Sequence, residues 1–236
     1  MTATVVGEQR ETPTARSLRL SATDLRPPLA GQHIDVRLTA EDGYTAQRSY
    51  SLSSAAGADP LEVTVERFDD GEVSPYLVDG IEVGDALEVR GPIGGWLVWR
   101  PESGDRPVQL IAGGSGVAPL MSMLRTREAT RSATPFRLLY GATDPDRVYY
   151  RDELARIAAD GVQVDLRYSR RVPNGSDLVP GRIGRAELEA STLPPADEPS
   201  IFVCGPTGFV EAVSDGLLAI GHAEERIRTE RFGPTR

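Results

Sequence analysis

Val108-Gln109-Leu110-Ile111-Ala112, followed by Gly113-Gly114-Ser115-Gly116-Val117-Ala118-Pro119, sets the reading of this chain. Val108–Ala112 is a nearly continuous apolar run, the pattern of a strand buried on both faces. The glycines after it let the backbone turn sharply and let a ligand approach the amides. Val117, Leu120, Met121 and Leu124 then recur at the spacing of one helix face. Strand, glycine turn and helix together offer unpaired N–H groups to an anion such as a diphosphate. A tight connection with no ligand would carry the same local sequence. A nucleotide-hydrolysing phosphate loop does not fit, because no Lys-Ser/Thr follows the glycines. A nucleophile elbow does not fit either, because Val117 stands where its second glycine belongs.

Downstream, strands are expected at Phe136–Tyr140, Val162–Tyr168 and Ile201–Val203. Helices are expected at Tyr149–Ala159 and near Ala186–Ala190, and on the face marked by Val210, Val213, Leu217 and Ile220. This alternation predicts a doubly wound α/β domain with a parallel sheet. Upstream, Pro101–Pro107 has the polar, Gly/Pro-rich composition of a linker. Before it the grammar changes to short alternating segments: Arg16–Ser21, Gln32–Leu38, Gln47–Ser53, Leu61–Arg67 and Ala86–Arg90. Turns at Pro27-Pro28, Asp42-Gly43, Asp69-Asp70-Gly71 and Val83-Gly84-Asp85 separate them. These predict an antiparallel β-barrel, with one short helix over Ser74–Val78 capped by Ser74. The expected domains are therefore 1–102 and 103–236.

The bulk numbers narrow the function. The chain has 236 residues, 39% hydrophobic and 26% charged, an ordinary globular mixture. A net charge of −9 argues against nucleic acid as the main partner. The single cysteine, Cys204, excludes an internal disulfide or a four-cysteine metal cluster from this chain alone, and no metal site is expected. No apolar run reaches the roughly 20 residues of a spanning helix. The N-terminal residues lack the pattern of a signal peptide, so a cytoplasmic protein with no membrane contact is the expectation.

The informative run in the barrel half is Arg48-Ser49-Tyr50-Ser51-Leu52-Ser53. On a strand, Arg48 and Tyr50 share a face. Such a pair can hold a diphosphate while the ring stacks on a flat heterocycle, or can simply be a half-exposed strand. Read in order, the motifs are Arg48-x-Tyr50-Ser51, Gly71-x-Val73-Ser74, Gly91-Pro92-x-Gly94, Gly114-x-Gly116-x-x-Pro119, Cys204-Gly205-Pro206 and Glu230-Arg231-Phe232-Gly233. This succession resembles the ferredoxin–NADP(+) reductase family of flavoproteins, from Gly31 to the tail.

The resemblance implies bound FAD and a nicotinamide dinucleotide, with hydride passing between them and electrons leaving to a separate acceptor such as a ferredoxin or an oxygenase component. Arg48 and Ser49 would lie at the FAD site, Arg48 on the diphosphate. Tyr50 would stack on the isoalloxazine, and Ser51 would bond near its reactive nitrogen, which requires a bend at the strand end. Gly71, Val73 and Ser74 would serve the same diphosphate. Gly114, Ser115 and Gly116 would border the nicotinamide and its diphosphate, with Cys204, Gly205 and Pro206 beside the ring. Ser51, Ser115 and Cys204 are the residues placed nearest the chemistry. The alternative for Cys204 is a buried small hydrophobe. Ser169 and Arg170, after the strand ending at Tyr168, would grip a 2′-phosphate and favour NADPH over NADH; two solvated loop residues are the bland alternative. Phe232 takes the place near the end where plant-type members carry an aromatic cover for the flavin. A flavin-binding electron-transfer or sensory subunit without nicotinamide turnover is the competing reading.

Overall fold

A computed structural model of the chain describes residues 1–104 and 106–233. Asp105 of the expected linker and the final Pro234-Thr235-Arg236 lie outside the described residues. The N-terminal half folds into strands β1 (Thr2–Thr12), β2 (Ala15–Ser21), β3 (His33–Thr39), β4 (Thr45–Ser51), β5 (Leu61–Glu66) and β6 (Ala86–Ile93). Their order is β4-β3-β6-β1-β2-β5, antiparallel at each pairing. A bridge between Leu52 and Val63, with the Ser53 N–H donating to the Glu62 carbonyl at 2.8 Å, joins the two outer strands and closes the barrel. Closure removes the exposed edges that an open sheet would leave. Leu18, Ile34, Val36, Val63, Val73 and Leu87 fill the interior.

The expected helix after Gly71 is a single helical turn over Tyr76–Gly80, and Ser74 does not cap it. The Ser74 hydroxyl accepts instead from the Phe68 N–H at 3.1 Å, which ties down the turn ahead of the helix. The far end of the turn is held by a buried arginine: Arg16 donates to the carbonyls of Val78 and Ile81, at 3.2 and 2.9 Å. Helix carbonyls that lack an intrahelical partner need such a donor when buried.

The C-terminal half carries β7 (Val108–Gly113), α1 (Val117–Ala129), β8 (Phe136–Ala142), α2 (Arg151–Ala159), β9 (Gln163–Tyr168), α3 (Arg185–Ser191), β10 (Ser200–Pro206), α4 (Thr207–Ala219) and β11 (Ile227–Phe232). The strands are all parallel, in the order β11-β10-β7-β8-β9. Alternation along β7 sends Leu110 and Ala112 to the core under α1 and α2, and Ile111 to the core under α3 and α4. Strand order reverses between β7 and β10. At such a switch point neighbouring connections leave on opposite faces and open a crevice at the carboxyl ends of the strands.

The first core does not stop at the α/β half. It takes in Ala15, Ala30, Leu97 and Trp99, and Trp99 meets Phe136 edge-to-face with ring centroids 4.9 Å apart. The polar side of this junction is built around Arg125 on α1. Its guanidinium bonds Glu62 of the barrel at 2.5 Å, Glu153 of α2 at 2.6 Å and the Ser53 carbonyl at 3.0 Å, and it lies over the Tyr150 ring. Nearby, the Tyr150 N–H donates to Glu11 at 2.9 Å, and its hydroxyl bonds Thr64. Arg125 is 18% exposed, and removing it would strand two carboxylates in a mostly dry junction. Arg125→Met should therefore lower the unfolding free energy by about 3 kcal/mol, read from the urea midpoint. Adding Glu62→Gln should restore part of that loss, because one orphaned charge disappears.

Candidate functional site

The crevice lies where three chain segments converge: the turn after β7, the end of β10 and the end of β4. After β7, Gly114–Gly116 forms one tight helical turn leading into α1. Gly114 has φ +55°, and a Cβ there would meet nothing within 4 Å, so the backbone faces open space. Gly116 is under the opposite constraint. A Cβ on it would sit 2.2 Å from the Cys204 carbonyl oxygen, so only glycine lets the two turns touch. Ser115 between them is half-buried, and Pro119 is inside the first turn of α1, where its missing N–H costs nothing.

Cys204 is fully buried in β10, between β7 and β11, opposite Ala112 and Glu230. Burial pushes its thiol well above the ordinary range, and the Glu230 charge adds to that. It is a neutral wall of the crevice rather than a thiolate. Gly205 is buried behind it, and Pro206 emerges at the surface.

Across the crevice, Ser51 ends β4 and is buried. Its hydroxyl donates to the Glu230 carboxylate at 3.4 Å, joining barrel to sheet. The β3–β4 ladder keeps its register to the strand end. The register of β3 against β6 shifts between His33 and Asp35, next to the His33–Ser51 pair. Glu230 is held above the usual carboxylate range by burial, partly offset by His33 and by the Ser51 hydrogen bond. Glu230 belongs to the tail motif but was assigned no role from sequence. Its strand, Ile227-Arg-Thr-Glu-Arg-Phe, looks like a charged surface segment, and only its pairing with β10 brings the carboxyl inward. By strand alternation Phe232 shares the Glu230 side of β11; it is half-buried, opposite Pro206, and packs on the core shared by both halves.

Further along β4, Tyr50 is half-buried at the barrel edge, and Arg48 is exposed. Ser49 donates to Asp35 at 2.6 Å. Arg48 bonds Glu72 at 2.8 Å, and the same carboxylate receives the Tyr44 hydroxyl. Those two hydrogen bonds, Tyr44 first, hold the Glu72 carboxyl below its usual range. Glu72 sits inside the Gly71-x-Val73-Ser74 motif, so this motif and Arg48 are neighbours in space. Val73 is wholly buried in the barrel and can offer a ligand only its backbone. The resulting strip of an arginine, an aromatic ring, a serine hydroxyl and a helical turn suits an anionic, flat-ringed dinucleotide.

On the other flank, Ser169 and Arg170 follow β9, two strands and about 10 Å from β7. Their N–H groups bond the carbonyls of Ala142 and Thr143, both at 2.9 Å. Ser169 is half-buried and Arg170 exposed, while Arg171 is engaged by Asp144 and Asp146. The structure thus gathers Ser51, Gly114–Gly116, Cys204 and Glu230 at one point. Arg48, Tyr50 and Ser74 extend from it along the barrel, and Ser169 and Arg170 lie across the sheet. Among the described residues no helix is long and apolar enough to cross a membrane.

Comparison with known proteins agrees with this layout. Residues 14–97 match the oxidoreductase FAD-binding domain, and residues 110–215 match the oxidoreductase NAD-binding domain. A flavohemoprotein of Rhodopirellula baltica is 31% identical over 98% of this chain and 60% of its own length. The FAD/NAD-binding domain of nitric oxide dioxygenase from Vibrio cholerae is 30% identical, with a TM-score of 0.88 over 99% of this chain and 98% of that one. An Amycolatopsis cytochrome P450 reductase is 29% identical, with a TM-score of 0.85 over 99% of this chain and 69% of that one. The chain spans about half to three fifths of the length of the curated relatives it matches. With one cofactor-binding module in each half and the crevice between them, the chain belongs to the ferredoxin–NADP(+) reductase-like family of FAD- and NAD(P)-binding oxidoreductases.

Proposed function

We propose that the chain is a reductase that takes hydride from NADPH onto FAD and delivers electrons to a separate protein acceptor, such as a ferredoxin or an oxygenase component. The observation that carries this reading is the Ser51–Glu230 hydrogen bond across the crevice, with Cys204 and the glycine turn beside it. FAD and nicotinamide supply the hydride chemistry when bound; the protein has only to align the two rings and keep water out. The domains that do this are 1–102 for FAD and 103–236 for the nucleotide. The bridge between Ala30 and Trp99 supports keeping residue 99 with the barrel.

Each residue has a part in that alignment. Arg48 and the amides of Val73 and Ser74 hold the FAD diphosphate, with Gly71 shaping the turn ahead of them through its N–H on the Phe68 carbonyl, at 3.0 Å, and Ser49 steadying the strand. Tyr50 supplies the stacking face, and Ser51 a hydroxyl at the reactive edge. Gly114, Ser115 and Gly116 take the nucleotide diphosphate at the start of α1, and Cys204, Gly205 and Pro206 wall the nicotinamide. Glu230 holds a carboxyl beside both rings, and Phe232 closes the edge. Ser169 and Arg170 take a 2′-phosphate, which favours NADPH over NADH. The name of the Amycolatopsis relative, a cytochrome P450 reductase, supports a cytochrome P450 as one class of acceptor. A sensory or electron-transfer subunit without nicotinamide turnover has no particular residue in its favour, because the glycine turn stands open to a ligand.

Arg48→Ala should weaken FAD retention by about tenfold or more, the scale of a lost charge-assisted contact. Glu72→Gln should tighten it, because the carboxylate that competes with phosphate for Arg48 loses its charge. Fluorescence titration of the apoprotein with FAD reads both, and equal affinities in the two variants would refute the diphosphate role. Arg170→Ala should raise the KM for NADPH by about tenfold while barely changing that for NADH, measured by steady-state reduction of ferricyanide. An equal effect on both dinucleotides would refute the 2′-phosphate assignment.

A further inference from the structure

The connection that leaves the carboxyl end of β8, residues 143–150, finishes on a tyrosine with left-handed backbone. Tyr150 has φ +54° and ψ +31°, immediately before the first turn of α2. Glycine takes this conformation freely, whereas a tyrosine there is strained and persists only where its surroundings fix it. Those surroundings belong to the barrel and to α1. Tyr150 is 3% exposed. Its N–H donates to Glu11 at 2.9 Å, its hydroxyl bonds Thr64, and the Arg125 guanidinium lies 5.1 Å from its ring centroid. The Ser17 hydroxyl donates to Glu11 and bonds Thr64, each at 2.7 Å, which closes the circuit. Glycine would relieve the strain but would give up both the Thr64 bond and the ring under Arg125.

The other end of the same connection serves the nucleotide side. The Ser169 and Arg170 N–H groups donate to the carbonyls of Ala142 and Thr143, both at 2.9 Å. Asp144 and Asp146 hold Arg171, at 3.3 and 2.5 Å. Between the two ends, Arg147 donates to Thr14 Oγ1, in the turn between β1 and β2, at 2.5 Å. The contacts with residues 169–171 thus lie within the C-terminal half, while those to Glu11, Thr14 and Thr64 cross to the barrel.

We propose that residues 143–150 are a strap between the barrel and the nucleotide half, and that Tyr150 is a positioning residue for hydride transfer. The proposal rests on the reductase reading above and adds a residue outside the segments that form the crevice. Helix α1 ties the halves at residues 53–56 and 62. A body tied at one place can still pivot about it. The strap adds ties on β1, on β5 and in the turn between β1 and β2, and Tyr150 joins both sets because its ring lies under Arg125. Loss of the strap's barrel contacts would leave the nucleotide site intact but let its angle to the flavin change. Transfer between bound rings falls steeply with such misplacement, whereas binding to one half does not.

Stopped-flow bleaching of the FAD-loaded protein by NADPH, and by NADH in parallel, tests this. Glu11→Ala removes the acceptor of the Tyr150 N–H, and Tyr150→Phe removes the hydroxyl on Thr64. Each should bleach about tenfold more slowly at saturating nucleotide, with the half-saturating concentration within about twofold of the parent. Glu11→Gln keeps a carbonyl oxygen for that N–H and should bleach at the parent's rate. A strap that only stabilised the fold would lower the melting temperature and leave the folded protein's rate unchanged. Parental rates in both Glu11→Ala and Tyr150→Phe therefore overturn the proposal. So does a raised half-saturating concentration at an unchanged maximal rate, or a Glu11→Gln variant as slow as Glu11→Ala. Amide hydrogen exchange reads the junction without turnover: exchange at residues 147–150 should quicken by about tenfold or more in Glu11→Ala, and parental protection there overturns the strap. A parent protein bleached by neither nucleotide overturns the reductase reading, while the exchange result still decides whether the strap ties the halves.

Discussion

Helix α1 couples the two halves of the site. Its N-terminal turn continues directly from Gly114–Gly116, and nine residues on, about 13 Å along the axis, Arg125 grips the barrel. On either side of Arg125 the Ser122 hydroxyl donates to the Ser54 carbonyl at 2.5 Å, and Thr126 accepts from the Ala56 N–H at 2.8 Å. Residues 53–56 are the loop that leaves β4 immediately after Ser51. The same rod that follows Gly114–Gly116 therefore clamps the end of the strand that presents Ser51. A displacement of either half by an ångström would separate Ser51 from Glu230, and positioning at that scale is what sets the rate of a transfer between bound rings.

Arg125 can do this because its environment is matched on every side. Burial disfavours its charge, but the hydrogen bond it donates to Glu153 and the charge of Glu62 outweigh that and push its pKa upward. Glu11, on the far side of Tyr150, is raised above the ordinary carboxylate range mainly by burial, with hydrogen bonds from Ser17 and Tyr150 opposing. For an acid whose folded pKa exceeds its unfolded value, the fold binds the extra proton. Stability from that group is then present on the acid side and falls as pH rises from about the unfolded value of 4.5 through the folded one. Glu230 has the same sign. Two carboxyls raised by burial thus mark the two ends of the junction.

Much of the fold was legible because its periodicities are strong. The βα unit at 108–124 reads from burial on both faces of β7 followed by one apolar helix face, and the sheet confirms it residue by residue. The two strands that went unread failed for a shared reason. In β1 only Ala3 and Val5 alternate cleanly before Glu8-Gln-Arg-Glu11, and β11 is charged at three of its six positions and polar throughout its middle. Both owe their place to partners: β1 to the β2 and β6 ladders, β11 to β10. Ser74 carries the right side chain for a cap, yet its hydroxyl is taken by Phe68, a tertiary choice no local pattern reveals. Glu72 was hidden likewise, since its link to Arg48 spans a separation of 24 residues.

These omissions matter most where charge meets cofactor. The residues read from motifs are donors: Arg48, Ser51, Ser74, the glycine amides and Arg170. The residues added by the structure are acceptors, Glu72 and Glu230, each bonded to one of those donors. A donor waiting in solvent would be mobile, whereas a donor held by a neighbouring carboxylate is already oriented. Its cost is that an incoming anion must displace that carboxylate, so affinity reflects a difference between two partners rather than a single contact. The two cases differ in burial. Glu72 is at the surface, where water screens the exchange, while Glu230 is enclosed beside Cys204, and burial raises its carboxyl above the usual range. The Arg48–Glu72 pair thus stands where water eases an exchange of charge partners, and the Ser51–Glu230 pair where burial opposes one.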